Sequence, residues 1–426
     1  MTTFPITTLP TDGPELRLYD IDLSDSVNGL LKITDLGILH PLAKKLYLKK
    51  NDCGSGEVSL SLTDPKVGII KARQFIAFFY RGAYRGGFFA ETRELVDTTQ
   101  TEKLGLVIKV SGRGPMVLLN DAMIYDWWTP GIENTRKFGT KNVMPDGGHS
   151  VPKGEMIYKL LDEAENYKTN PAGQHLQRYC WRAGLLGDAG DPATPPIGEP
   201  LLTWDFTDVV DSYGVAWPDV EDMEYQVGTY LDDVMRQIAA IRDPATPTWW
   251  YDFTITREVP SPTTGLFVLH AYSGSALDND ISDIMHFRVG HNCTEVSRKS
   301  VASDVRNHIL VNLSDPDNPF AHVEDTAFML QYRRRESFLR ASNASLLVTG
   351  QHYGYAELAD TKNLTRDIAV KVSDAKGPHI FTDYNLYDII SYDNAGGTET
   401  KHKIIGEQLE WMGDQEYADV TVEFET

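Results

Sequence analysis

Between residues 14 and 121 the chain is a train of strand-length apolar runs, each stopped by turn chemistry after a few residues. Leu16 to Tyr19, Val58 to Leu62, Gly68 to Ile70, Phe75 to Tyr80, Phe88 to Thr92 and Gly105 to Val110 are such runs. Asn51-Asp52 with Gly54, Asp64-Pro65 and Gly86-Gly87 punctuate them. Gly, Asn and Pro at these points supply the backbone angles that tight turns need. Glu57-Val58-Ser59-Leu60-Ser61-Leu62 alternates polar and apolar residues with the period of two that half-buries a strand. Many short strands with tight turns leave room for a small barrel or a sandwich, and little else.

Residues 122–270 change character. Glu155 to Lys168 predicts a helix with Ile157, Leu160, Leu161 and Ala164 on one face, and Glu221 to Ile241 a second, ended by Asp243-Pro244. Residues 183–200, rich in Gly, Pro and Asp, predict a loop. Strands are expected from Trp249-Trp250-Tyr251-Asp252-Phe253 and over Gly265 to Tyr272. Residues 271–426 return to β structure, with strands at His308 to Leu313, Ile368 to Val372, Asp388 to Tyr392, His402 to Leu409 and Tyr417 to Phe424. Helices are expected over Ala327 to Ala341 and Ala344 to Ala359, the second weakened by Gly350 and Gly354. The expected organisation is an extended arm at 1–13, a β unit at 14–121, a mixed unit at 122–270 and a second β unit with a helical insertion at 271–426.

Charge separates these regions. The chain holds 61 Asp and Glu against 40 Lys and Arg, a net −21. Residues 1–121 are near neutral, with 15 basic and 14 acidic groups; residues 122–260 carry 11 and 22, residues 261–426 carry 14 and 25. Such a balance argues against duplex DNA binding, in which each phosphate contact wants a cation. Cys53, Cys180 and Cys293 are few, odd in number and far apart, and predict three thiols in a reducing cytoplasm. No run of about 18 apolar residues predicts a membrane span, and Met1 to Pro10 lacks the pattern of a secretion signal.

The chemistry-bearing patterns are sparse. A P-loop and a dinucleotide fingerprint are absent. Asp283, His286 and His291 have ligand chemistry, but their spacing of three and five suits no single helical face. Asp278, Asn279 and Asp280 resemble a calcium loop in composition only. His149-Ser150 lacks a nucleophile elbow. No catalytic residue, metal site or cofactor is expected. The candidate interface residues are the basic island Arg333, Arg334 and Arg335, one of which could pair with Glu336 or Asp325, and the aromatic pair Trp127 and Trp128. Trp249 and Trp250 form a similar pair at an inferred domain junction.

Four segments resemble the tail-hub, or minor tail protein, family of long-tailed phages. Asn51-Asp52-Cys53-Gly54-Ser55-Gly56-Glu57-Val58 resembles its early hairpin. Leu106 to Val110 with Ser111-Gly112-Arg113-Gly114-Pro115 resembles the strand and Gly-rich turn that close its first barrel. Tyr332-Arg333-Arg334-Arg335-Glu336 resembles a Tyr-Gly-x-Arg-Glu segment, with Arg333 in place of Gly. Asn385-Leu386-Tyr387-Asp388-Ile389-Ile390 resembles a Leu-Gly-Asp strand, with Tyr387 in place of Gly.

The resemblance implies an α+β, β-rich fold of two similar β-barrel hub domains with mixed α/β domains. It implies a structural, non-enzymatic homotrimer at the distal tail tip of a virion, made in the host cytoplasm. Its implied partners are a distal tail ring protein, tape-measure protein, and receptor-binding or tip proteins, with phage DNA passing through without specific binding. Two other readings are a tail-tip glycosidase acting on cell wall and a carbohydrate-binding receptor protein. A glycosidase needs only two carboxylates, and the aromatic content suits a sugar-binding groove.

Overall fold

The computed structural model describes residues 13–22, 31–99, 105–124, 135–138, 151–165, 168–169, 175–176, 180–181, 199–218, 223–241, 251–258, 260–261, 264–300, 305–314, 319–341, 344, 346–361, 365–393 and 399–425. The expected arm up to residue 12, nearly all of the 183–200 loop, His149-Ser150, Trp127, Trp128, Trp249 and Trp250 lie outside them.

Eight strands come first: β1 (Glu15–Asp22), β2 (Lys32–Leu39), β3 (Ala43–Lys49), β4 (Ser55–Ser61), β5 (Phe75–Tyr80), β6 (Ala83–Phe89), β7 (Thr92–Asp97) and β8 (Leu106–Arg113). A short 3-10 helix (Pro115–Asp121) leads to the mixed region, with β9 (Thr135–Lys137), α1 (Lys153–Glu165), β10 (Lys168–Thr169), β11 (His175–Leu176), β12 (Leu202–Trp204), β13 (Glu224–Gln226), α2 (Leu231–Ala240), β14 (Tyr251–Arg257) and β15 (Phe267–Ser273). The remainder holds β16 (Asn279–Asp280), β17 (His286–Arg288), β18 (Cys293–Ser300), β19 (His308–Leu313), β20 (Phe320–Glu324), α3 (Thr326–Tyr332), β21 (Glu336–Ala341), α4 (Leu347–Thr361), β22 (Thr365–Ser373), β23 (Asp388–Asp393), β24 (Glu399–Met412) and β25 (Asp419–Glu425). The fold is β-rich with few helices.

The largest sheet draws on both ends of the chain. Its strands run β18-β22-β25-β24-β3-β4-β8-β7, and β23, flanked by β16 and β17, pairs with β24. Among the described residues no hydrogen-bonded ladder joins β18 to β7, so no closed barrel forms. The long strand β24 is the seam. Its first residues pair with β23, the middle with β25, and Gly406 to Met412 with β3, after a register shift between Ile404 and Gly406.

A second sheet, β2-β1-β5-β6, lies between two cores. The run Phe75-Ile76-Ala77-Phe78-Phe79-Tyr80 is buried at every position. Alternate side chains of a strand point to opposite faces. Phe75, Ala77 and Phe79 therefore enter the core of the mixed region, whereas Ile76, Phe78 and Tyr80 enter that of the large sheet. Each buried Phe contributes about 2 kcal/mol, so this strand fastens the two cores together. A third, smaller core lies between the sheet β20-β19-β21 and α4.

The differences from expectation have local causes. Gly68 to Ile70 is a turn, because Val67 and Ile70, three apart, both drop into the core from one turn of chain. β2, β3 and β18 are strands without a clean apolar signal, formed because neighbouring strands need partners. The helix expected from Glu221 begins at Leu231, after β13 pairs with β9 and Gly228 turns the chain at φ +90°. The helix expected over Ala327 to Ala341 ends at Tyr332, and Glu336 to Ala341 instead pairs parallel to β19. Gly350 and Gly354 do not interrupt α4. A Cβ at Gly350 would lie 2.5 Å from Leu313, and one at Gly354 would lie 2.7 Å from Val323. Glycine is what lets this helix press onto its sheet.

Candidate functional site

The polar chemistry gathers where the regions meet. Asn51, in the β3–β4 turn, has φ +53°, a conformation Asn tolerates better than most residues. Its amide nitrogen donates to the Tyr251 carbonyl at 2.8 Å, and its amide oxygen accepts from the Phe253 amide at 2.7 Å. The turn residue thus docks on β14 as one more strand would. Beside it the Asp252 carboxylate, fully buried, accepts from Lys403 Nζ of β24 at 3.0 Å and lies 3.5 Å from Lys50 Nζ. Lys403 also pairs with Asp278, and its ammonium stands 5.3 Å from the centre of the Tyr387 ring. Burial opposes the lysine charge, but Asp252 and Asp278 together hold it above the ordinary lysine value. The Tyr387 hydroxyl donates to the Phe253 carbonyl at 2.9 Å. One ionic network therefore ties an early turn, the mixed region and the seam strand.

A second junction surrounds Asp374, also fully buried, after β22. It accepts from the Tyr80 hydroxyl, from Arg81 Nη2 at 3.0 Å and from the Ile380 amide at 3.0 Å. Burial and this carboxylate push the Tyr80 phenol well above its ordinary value. The β5–β6 hairpin is thereby fixed to the C-terminal strands.

Glu407 behaves differently. It lies on β24, wholly buried, and neither carboxyl oxygen has a hydrogen-bond partner among the described residues. The Tyr384 hydroxyl and Trp411 Nε1, buried in the same core, are also without one. Burial, helped by Asp388, raises the Glu407 carboxyl to about 8, so it holds its proton at neutral pH. A shifted carboxyl is a common mark of an acid catalyst, but no substrate reaches one with no exposed surface.

The sequence candidates are placed as follows. Arg333, Arg334 and Arg335 form the connection between α3 and β21, not a helical face. Arg334 pairs with Glu336 at 2.8 Å and donates to His308 Nε2 at 2.9 Å, whereas Asp325 caps α3 by accepting from the Phe328 amide at 3.0 Å. Asn307 clamps the triplet: it donates to the Arg333 carbonyl at 2.7 Å and accepts from the Arg335 amide at 2.7 Å. His286 pairs with Glu399 and the Asp283 carbonyl, and His291 is exposed. Asn279 donates to Asp388, while Lys401 holds Asp280 down to about 2. Among the described residues no group of three or more His, Cys, Asp or Glu is placed to hold a metal, and no helix is long and apolar enough to cross a membrane. No disulfide links the cysteines; burial, foremost, raises the Cys53 and Cys293 thiols to about 11.

Sequence reasoning missed Asp252, Asp374 and Lys403, because nothing local marks a charged residue that will be buried by distant partners. It did quote the two positions where Gly is replaced. Tyr387 has φ +77° and Arg333 has φ +59°, the left-handed region that favours glycine. Both turns keep the backbone that a glycine would take.

No protein-family model matches the sequence, and no curated protein matches it. The solved structures that share its fold are phage tail proteins. The 43 kDa tail protein of prophage MuSo2 from Shewanella oneidensis aligns with a TM-score of 0.54 at 11% identity, covering 96% of this chain and 98% of that one. A tail protein from Neisseria meningitidis MC58 aligns with a TM-score of 0.53 at 10% identity, covering 97% of each chain.

Proposed function

We propose that this chain is a structural hub subunit at the distal tip of a phage tail, acting as a trimer. The observation that carries the reading is a shared fold running almost end to end through tail proteins, 96% of this chain on 98% of the Shewanella protein. Two β-rich ends joined on one seam strand suit a subunit whose halves play near-equivalent parts. Three such chains offer six similar units to a six-fold tube above. The partners in this reading are the tail ring protein above, receptor-binding or tip proteins below, and the tape-measure protein and DNA that leave through the centre. A net charge of −21 suits a channel that passes DNA without holding it. The polar network at Asp252 and Lys403 then has a mechanical role, keeping the regions of the subunit in register.

Cryo-electron microscopy of intact virions carrying a tagged copy of this chain tests the reading. Three tags at the far end of the tail are expected. Tags on the capsid, along the tail shaft, or absent from the particle would overturn it.

A further inference from the structure

We propose that the open face of the sheet β20-β19-β21 docks the acidic, apolar loop 205–217 of a second copy of this chain. The proposal rests on the hub reading above and names a contact that a ring would use.

The sheet has one covered and one open face. Ile309, Val311 and Leu313 of β19 are buried in the core under α4. The alternate residues Leu310 and Asn312 point the other way. Leu310 stands opposite His322 and Phe338, and Asn312 opposite Phe320 and Arg340. Phe320 is 51% exposed and Phe338 53%. Arginine surrounds these rings: Arg340 on β21, and Arg334 beside His308 at the strand's start. An exposed patch of aromatic rings flanked by arginine has the make-up of a protein contact.

The loop is its complement. Asp211, nearly fully buried, organises it: one oxygen accepts from the Tyr213 and Val215 amides, both at 2.9 Å, the other from the Ser273 amide and hydroxyl. Gly214 makes the tip at φ +76°, and Trp217 Nε1 closes the base on the Thr207 carbonyl at 3.0 Å. This rigid scaffold nevertheless presents Val209, Tyr213 and Val215 at 63%, 60% and 53% exposure, with Asp208 exposed beside them. A loop built this firmly binds with little ordering cost.

Charge complementarity selects the occupant. One patch is apolar and basic, the other apolar and acidic, and every copy carries both. Burial of the apolar side chains supplies the attraction, and the charges set orientation. Because the patches differ, the contact is head-to-tail, the kind that generates a ring when its rotation closes.

The test is the self-association of the full-length chain by sedimentation velocity, with circular dichroism checking the fold of each variant. Arg340→Glu and Asp208→Arg, both at exposed positions, are each expected to weaken assembly at least tenfold, and the double variant to restore it. Single variants that assemble like the native chain, a double variant that stays dissociated, or a native chain monomeric at every concentration would overturn the contact. The hub reading is judged separately by where the tagged chain lies in the virion, so the two fail independently.

Discussion

The seam around β24 and the small sheet β20-β19-β21 handle charge in opposite ways. At the seam Lys403 is 7% exposed and meets two carboxylates, and Asp252 has no exposed surface and meets a lysine and an asparagine. On the small sheet Arg334 is held only by Glu336 and His308 and otherwise faces outward. A buried ion must be surrounded, because removing it from water costs several kcal/mol that only fixed partners repay. An exposed arginine has no such requirement and remains available to another surface. The same division separates the two left-handed residues. Tyr387 is buried and uses its ring and hydroxyl to join the seam to β14, whereas Arg333 is exposed and contributes its backbone.

The sharpest way to break this contrast is Lys403→Met. It leaves Asp252 and Asp278 short of their shared cation, and a loss of about 3–5 kcal/mol in denaturant unfolding is expected. A loss under about 1 kcal/mol would mean the seam charges are as dispensable as surface ones.

Glu407→Gln probes the seam through pH. Burial keeps the proton on the folded chain to about 8, while the unfolded chain releases it near 4.5. The unfolded state binds fewer protons across that interval, so native stability falls as pH rises through it and then levels. The glutamine variant lacks this slope. Its melting temperature should exceed the native one at pH 8 by more than at pH 5, with a difference of a few kcal/mol. Parallel pH profiles for the two proteins would contradict a neutral, buried carboxyl.

Tyr387→Phe removes one hydroxyl and leaves the buried Phe253 carbonyl unpaired, an expected loss of about 1 kcal/mol measured by urea unfolding. Arg333→Gly has the smallest expected effect and the opposite sign. It relieves a backbone of φ +59° and ψ +163° at an exposed site, for a gain of about 0.5–1 kcal/mol. Should Arg333→Gly destabilise instead, the guanidinium makes a contact that outweighs the strain.

Much of the strand content was legible. Phe75 to Tyr80 and His308 to Leu313 lie where the pattern put them, since an apolar run bounded by turns carries its own signal. The interface candidates were legible only as composition. Arg333 to Arg335 read as part of a helix because the residues from Ala327 to Ala341 include good helix formers. The chain breaks there because Asn307 holds residues 333–335 and β19 accepts the next six as a strand.

By itself the sequence determined where the chain could be extended, where it had to turn, and that it would be β-rich and acidic. Those properties arise from neighbours in the chain. The tertiary structure alone decided that strands from the two ends would share one sheet on β24, that Asp252, Asp374, Lys403 and Glu407 would be buried, and which face of the small sheet would stay open. Each of these depends on residues far apart in sequence, and no local pattern encodes a partner a hundred or more positions away.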